Sequence, residues 1–197
     1  MKKILVIKSS ISTTQNSISD RAVDIFIENY KISNPDHIIE VLNLNKESEI
    51  LKPLTSETLN EFFDDKADQL IEQLKLADKI VITAGMVNFN IPTSLKSYFD
   101  NVLQANKTFK YKYKGNGESF GLLNPEVKAQ LILSQGAVVG WYPYALFDKY
   151  LEGLLNFIGI KQINTIIYDG TKTDAKSGLK ADEIINREEL IKLSKNF

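Results

Sequence analysis

The sequence predicts a single α/β domain, a five-stranded parallel sheet with helices on both faces. Three observations carry that expectation. Five short runs rich in isoleucine and valine recur along the chain, and most lack polar alternation, as suits strands covered on both faces. Segments with apolar residues at 3- and 4-residue spacing lie between them, so strand and helix alternate. The composition is that of a soluble globular chain, with 43% hydrophobic and 25% charged residues among 197, and only ten glycines and five prolines.

The strand candidates are residues 4–7, 37–44, 79–84, 130–133 and 162–168. The second is the most polar and is the expected edge. The first helix spans 19–30, with Ala22, Val23, Phe26, Ile27 and Tyr30 on one face and Ser33-Asn34-Pro35 as its stop. Residues 55–77 read as one long helix carrying Leu59, Phe62, Phe63, Ala67, Leu70, Ile71 and Leu74. Thr55 and Thr58 share its capping, without the Glu or Gln of a strict capping box. Pro92 suits the first turn of a third helix bearing Leu95, Tyr98, Phe99, Val102 and Leu103. A fourth covers 146–157 and ends at Gly159, and a polar C-terminal helix covers about 181–195.

Five strands in fewer than 200 residues fit the flavodoxin-like winding, a three-layer sandwich with sheet order 2-1-3-4-5. A six-strand dinucleotide fold or a barrel fits less well. The domain runs over residues 1–197, with no repeat, low-complexity tract or linker. Residues 104–123 and 136–145 are aromatic, glycine-bearing excursions from the core. A chain of this length buries roughly 70% of its unfolded surface and needs no metal or disulfide staple.

Composition excludes several functions. With 24 basic against 25 acidic residues there is no electrostatic footprint for nucleic acid. Cysteine is absent, which removes disulfides, thiolate nucleophiles and cysteine-ligated metal sites. The N-terminal apolar run breaks at Lys8, no small-residue cleavage site follows, and no stretch approaches a membrane span. The expectation is a soluble, cytoplasmic protein.

In an open α/β sheet ligands bind beyond the carboxyl ends of the strands, where strand order reverses. Three loops should meet there. Residues 8–19 carry seven hydroxyls and lead into a helix, whose unpaired N–H groups and positive dipole end suit a monophosphate. An ordinary N-cap at Ser17 or Ser19 explains the same residues without a ligand. The glycine spacing matches neither a dinucleotide fingerprint nor a P-loop. Residues 84–92 place apolar and amide side chains between a strand and Pro92, as a planar ring system would require. Turn geometry at Asn88 and Asn90, with Phe89 in the core, is the simpler account. Ser134-Gln135-Gly136-Ala137 follows the fourth strand, and its glycine permits either close approach to a ligand or a tight turn.

Other constellations carry less. His37, the only histidine, starts the edge strand, so a serine–histidine triad is disfavoured. Asp64 and Asp65 with Glu61 and Asp68 read as a solvated helix face rather than a metal site. Lys107, Lys110, Lys112 and Lys114 interleave with Phe109, Tyr111 and Tyr113, which reads as an exposed hairpin or subunit contact. No acid/base pair or nucleophile stands out, and such sites borrow their chemistry from a cofactor.

Several stretches together resemble the FMN-dependent NADH-azoreductase family of homodimeric, flavodoxin-like quinone reductases. They are KILVIKSS at the start, Ser17-Ile18-Ser19, MVNFNIPTSLKSYFDNV at 86–102, KTFKY at 107–111, SQGA at 134–137 and NFIGI at 156–160, and they span Met1 to about Tyr168. The resemblance implies non-covalent FMN with NADH as electron donor and no metal. Ser9, Ser17, Ile18 and Ser19 would take the phosphate. Met86, Val87, Asn88 and Phe89 would hold the ribityl chain and ring, and Ser134, Gln135, Gly136 and Ala137 the ring's far edge. Phe109, Phe120, Trp141 and Phe157 are the candidate walls of a quinone or azo acceptor pocket, to which a partner subunit adds. In the last loop the family often has arginine-glycine-glycine where this chain has Gln135-Gly136-Ala137, and residues 111–122 are longer than usual. The implied activity is two-electron, ping-pong reduction. A flavodoxin-type electron carrier is the alternative, although a net charge of −1 lacks the acidity that steers such carriers. An acyl carrier protein phosphodiesterase, a name that relatives have carried, would want a metal cluster or an activated nucleophile.

Overall fold

In the computed structural model the described residues are 1–12, 17–113 and 117–197. The five apolar runs form β1 (Lys3–Lys8), β2 (Ile38–Asn43), β3 (Lys79–Gly85), β6 (Lys128–Ser134) and β7 (Gln162–Tyr168). All pairings are parallel and the order is β2-β1-β3-β6-β7, the winding expected. Alternate residues of the central strands serve opposite layers. Leu5, Ile7, Ile80, Ile82, Leu131 and Leu133 pack under α3 (Asp65–Lys75), α4 (Thr93–Val102) and α5 (Phe147–Phe157). Ile4, Val6, Val81 and Ile132 pack under α1 (Ile18–Ser33) and the C-terminal helices. Apolar residues on both faces are why these runs do not alternate. β2 buries only Leu42 and is an edge strand.

Two expected helices are each broken in two, for one reason: a cap inside the apolar pattern. Residues 55–77 form a short α2 (Leu59–Phe62) and then α3. Asp64, in extended conformation, accepts from the Lys66 and Ala67 N–H groups at 3.0 and 3.1 Å and is salt-bridged by Lys52, so a new helix starts there. Thr55 and Thr58 do bond reciprocally, each N–H to the other's hydroxyl at 2.9 and 3.2 Å, but this closes a turn upstream and caps no helix. The C-terminal helix divides into α6 (Ala181–Ile184) and α7 (Arg187–Asn196), with Asn186 accepting from the Glu189 N–H at 3.2 Å.

The excursion after α4 forms a two-stranded antiparallel hairpin apart from the main sheet, β4 (Phe109–Lys112) and β5 (Glu118–Gly121). Its exit runs flush across the end of α5. A Cβ at Gly121 would lie 2.1 Å from the backbone of Ile158 and Gly159, and the Leu123 N–H donates to the Ile158 carbonyl at 3.0 Å.

Gly121→Ala should therefore destabilise the chain by about 1–3 kcal/mol, through displaced backbone rather than lost contacts. Gly153→Ala, inside α5 with nothing within 4 Å of the new Cβ, should stabilise it by about 0.5–1 kcal/mol. Paired denaturant unfolding curves check both signs.

Candidate functional site

The hydroxyl-rich loop places its cap as its chemistry suggests. Ser17 stands in extended conformation at the N-cap of the 16-residue α1 and accepts from the Asp20 N–H at 3.1 Å. Its Oγ lies 2.8 Å from Ser10 Oγ and 3.5 Å from Ser19 Oγ, and the Ser12 N–H reaches Ser10 Oγ at 3.3 Å. Hydroxyls thus gather over a helix end whose first N–H groups have no intrahelical partner and whose dipole favours an anion.

One buried residue holds this loop to the sheet. The Thr83 carbonyl accepts both the N–H and the hydroxyl of Ser9, at 3.2 and 2.6 Å. The Thr83 hydroxyl donates to the Asp20 carboxylate at 2.9 Å. Burial raises the Asp20 pKa above the ordinary carboxylate value, against the Thr83 hydrogen bond and the nearby Lys8 charge.

The second loop extends the ladder, with the Met86 N–H on the Ser134 carbonyl at 2.8 Å, and then reverses. Val87 and Asn90 exchange N–H···O bonds at 2.8 and 3.0 Å around Asn88 and Phe89, whose φ angles are +46° and +70°. Asparagine tolerates the left-handed region. Phenylalanine seldom enters it, and such strain gathers at functional sites. The turn projects Phe89, 44% exposed, edge-on to Tyr142 and Tyr144 with centroids 5.0 and 5.3 Å away.

The third loop is zipped to the segment after β7. Gly170, Thr171 and Lys172 donate their N–H groups to the carbonyls of Ala137, Gln135 and Gly136 at 2.9, 3.2 and 3.0 Å. The Gln135 amide folds back onto the Ala137 carbonyl at 3.0 Å.

Between the loops lies a cleft of about 510 Å³, inside the range of small-molecule sites. Of the residues expected at a ligand, Ser17, Ile18, Met86, Val87, Ser134, Gln135 and Gly136 line it. Ser9 and Ser19 do not: both are buried behind the cleft, and the Ser9 hydroxyl is committed to Thr83, so Ser10 and Ser12 supply the facing hydroxyls. Asn88 and Phe89 stand exposed on the turn beyond Val87, and Ala137 lines an adjoining recess of about 650 Å³ with Trp141 and Tyr142. Of the four expected acceptor-wall aromatics, only Trp141 lies in a recess bordering the cleft. Phe109 is buried against Phe157, centroids 4.6 Å apart, and Phe120 sits on the hairpin. Residues 13–16 of the first loop, and Lys114, fall outside the described residues.

The fourth wall was not expected. Thr171, Lys172 and residues 178–181 line the cleft, from a stretch with no hydrophobic period, marked only by Gly170 and Gly178 in left-handed conformation. His37 is bonded to the Tyr30 hydroxyl at 2.7 Å, at the opposite end of the sheet. Among the described residues no three His, Asp or Glu side chains cluster as a metal site, and no helix is long and apolar enough to cross a membrane.

A parallel sheet of this order with an anion-receptive helix end at its switch point defines a flavodoxin-like protein, and residues 2–188 match the flavodoxin-like fold family. More narrowly, the chain belongs to the family of the FMN-dependent NADH:quinone oxidoreductases. It is 45% identical to the protein of that name from Metamycoplasma arthritidis over 177 residues, covering 89% of this chain and 90% of the relative. It is also 45% identical to that from Mycoplasma mobile over 190 residues, covering 94% and 93%. Among solved structures it resembles an azoreductase from Bacillus anthracis, with 27% identity and a TM-score of 0.84 over the whole of both chains. An FMN-dependent NADH-azoreductase from the same species, solved in complex with FMN, superposes with a TM-score of 0.77 at 26% identity, covering 100% of this chain and 99% of that one.

The buried Asp20 gives the site a pH signature. Its folded pKa lies above the unfolded one, so the neutral form favours folding at low pH, and that contribution is lost as pH rises through the folded pKa. Asp20→Asn keeps an acceptor for Thr83 but cannot ionise. Whatever constant penalty the amide brings, the stability of the variant relative to the parent should rise between pH 3 and pH 7. Thermal melts across that range measure it, and a flat difference would contradict the assignment.

Proposed function

We propose that this chain binds FMN non-covalently in the cleft and catalyses NADH-dependent reduction of quinones, with azo compounds as further acceptors. The observation that carries this reading is the cleft itself, which joins a hydroxyl-capped helix end to two loops that present backbone and apolar side chains. The donor set fits the group. Ser10, Ser12, Ser17 and the first N–H groups of α1 receive a phosphate without an arginine, and Met86, Val87 and Gly136 leave a slot for a planar ring. Among the described residues no carboxylate lines the cleft to repel the phosphate. The names of the relatives support the same cofactor and donor.

When bound, FMN would supply two-electron redox chemistry, taking a hydride from NADH and reducing the acceptor in separate, ping-pong half-reactions. The chain's own part is to hold, orient and exclude water. The Ser10–Ser17 pair fixes the phosphate end, the Asn88–Phe89 turn positions one ring edge, and Gly136 lets the backbone approach the other. Trp141 and Tyr142 in the adjoining recess offer an aromatic surface on which a flat acceptor stacks. Phe89, Trp141, Tyr142 and Tyr144 expose their rings together, a patch suited to closure by a second copy of the chain, and we propose a homodimer. The carrier and phosphodiesterase alternatives gain no support from the relatives.

An anaerobic absorbance scan of FMN-reconstituted protein tests the activity. Stoichiometric NADH should bleach the flavin band and benzoquinone should restore it. A bound flavin that NADH leaves unbleached would sink the reductase reading. Ser17→Gly tests the phosphate end separately, because glycine serves as an N-cap at a penalty of only a few tenths of a kcal/mol. Fluorescence titration should show FMN affinity lowered about tenfold, as for loss of one hydrogen bond to a charged group, with the melting temperature nearly unchanged.

A further inference from the structure

The cleft is lined by charge of one sign. Among the described residues its only ionisable side chains are Lys172 and Lys180, and they stand at opposite ends. Lys180 precedes α6, which Arg21 and Asp182, 2.9 Å apart, fasten to the first turns of α1, so it belongs to the hydroxyl end. Lys172 is fixed at the other. Its N–H donates to the Gly136 carbonyl at 3.0 Å, inside the zipper that joins residues 135–137 to 170–172. Its stem lies against Gly136 so closely that a Cβ there would be 3.0 Å from Lys172 Cδ and 3.2 Å from Cγ. The side chain borders both the cleft and the aromatic recess, whereas Asp174 borders the recess alone. Its neighbour Lys176 is 3.8 Å from Asp169, but Lys172 has no carboxylate within 4.0 Å among the described residues. The loop beneath offers no charge, since the neutral Gln135 amide is folded onto Ala137.

On the FMN reading above, we infer that Lys172 is the positioning charge that sets the reduction potential of the bound flavin. NADH gives up a hydride, two electrons with one proton, and leaves as NAD⁺. The hydride adds at flavin N5, so the ring gains one negative charge, spread over its pyrimidine half. On this inference the ring edge that Gly136 meets is the pyrimidine one, and a cation packed on Gly136 favours the reduced form over the oxidised one. Lys180, at the phosphate, meets the same charge in both forms and favours neither.

The test is the midpoint potential of FMN bound to the parent chain and to Lys172→Met, Lys172→Arg and Lys180→Met. It is measured anaerobically against a reference dye, with the affinity for oxidised FMN read by fluorescence. Lys172→Met should lose about tenfold of the preference for reduced flavin, a fall of about 30 mV for a two-electron couple, while Lys172→Arg keeps the parent value. Lys180→Met should weaken both forms alike and leave the potential in place. A parent-like potential in Lys172→Met, or an equal loss of affinity for both forms, overturns the role of Lys172 alone. A parent chain that binds no FMN overturns the cofactor reading and this inference with it.

Discussion

Thr83 is the point on which the cleft depends. It lies fully buried in the central strand β3, and both of its polar groups reach across to the chain that leaves β1. Its carbonyl takes the two donors of Ser9 and its hydroxyl takes Asp20, so the start of the loop and the first turn of α1 are tied to one residue. The parallel pairing of β1 and β3, ending at Lys8 opposite Thr83, brings them within reach. Everything polar at the helix end, from the Ser17 cap to the Ser10 hydroxyl, is held in place by a sheet that itself carries no chemistry.

Rigidity of this kind is needed because the ligand-facing groups sit on loops. The second loop answers with strain, two consecutive non-glycine residues in left-handed conformation locked by the Val87–Asn90 exchange. The third answers with a backbone zipper to residues 170–172. Neither device is a side chain with reactive chemistry, in keeping with a site whose reactivity comes from what it binds.

The sheet was legible in the sequence because strands buried on both faces must be continuously apolar, and the edge was legible because β2 need not be. The helix breaks were not, since Asp64 and Asn186 sit on the polar faces of apolar patterns that run on past them. Which serine faces the cleft was also hidden. Ser9 and Ser10 are chemically alike, and only the pleat and the bond to Thr83 decide that the first turns inward. Where the aromatic residues sit was hidden in a similar way, because Phe109 and Phe157 are as good at stacking on each other as on a ligand. The segment after β7 carries no hydrophobic period, being held by backbone bonds and by single polar side chains such as Thr171 and Lys176, which leave no pattern along the chain.

That last segment has a bearing on biosynthesis. The cleft is built from residues near position 10 and residues near position 180, and the Arg21–Asp182 pair ties the two across 161 positions of sequence. Such long-range closures form late, and a chain emerging from the ribosome N-terminus first exposes its hydroxyl loop well before the wall that faces it exists. A nascent chain therefore has no complete cleft in which to capture a small molecule. Loading must follow the emergence of residues 171–184, on a sheet already assembled.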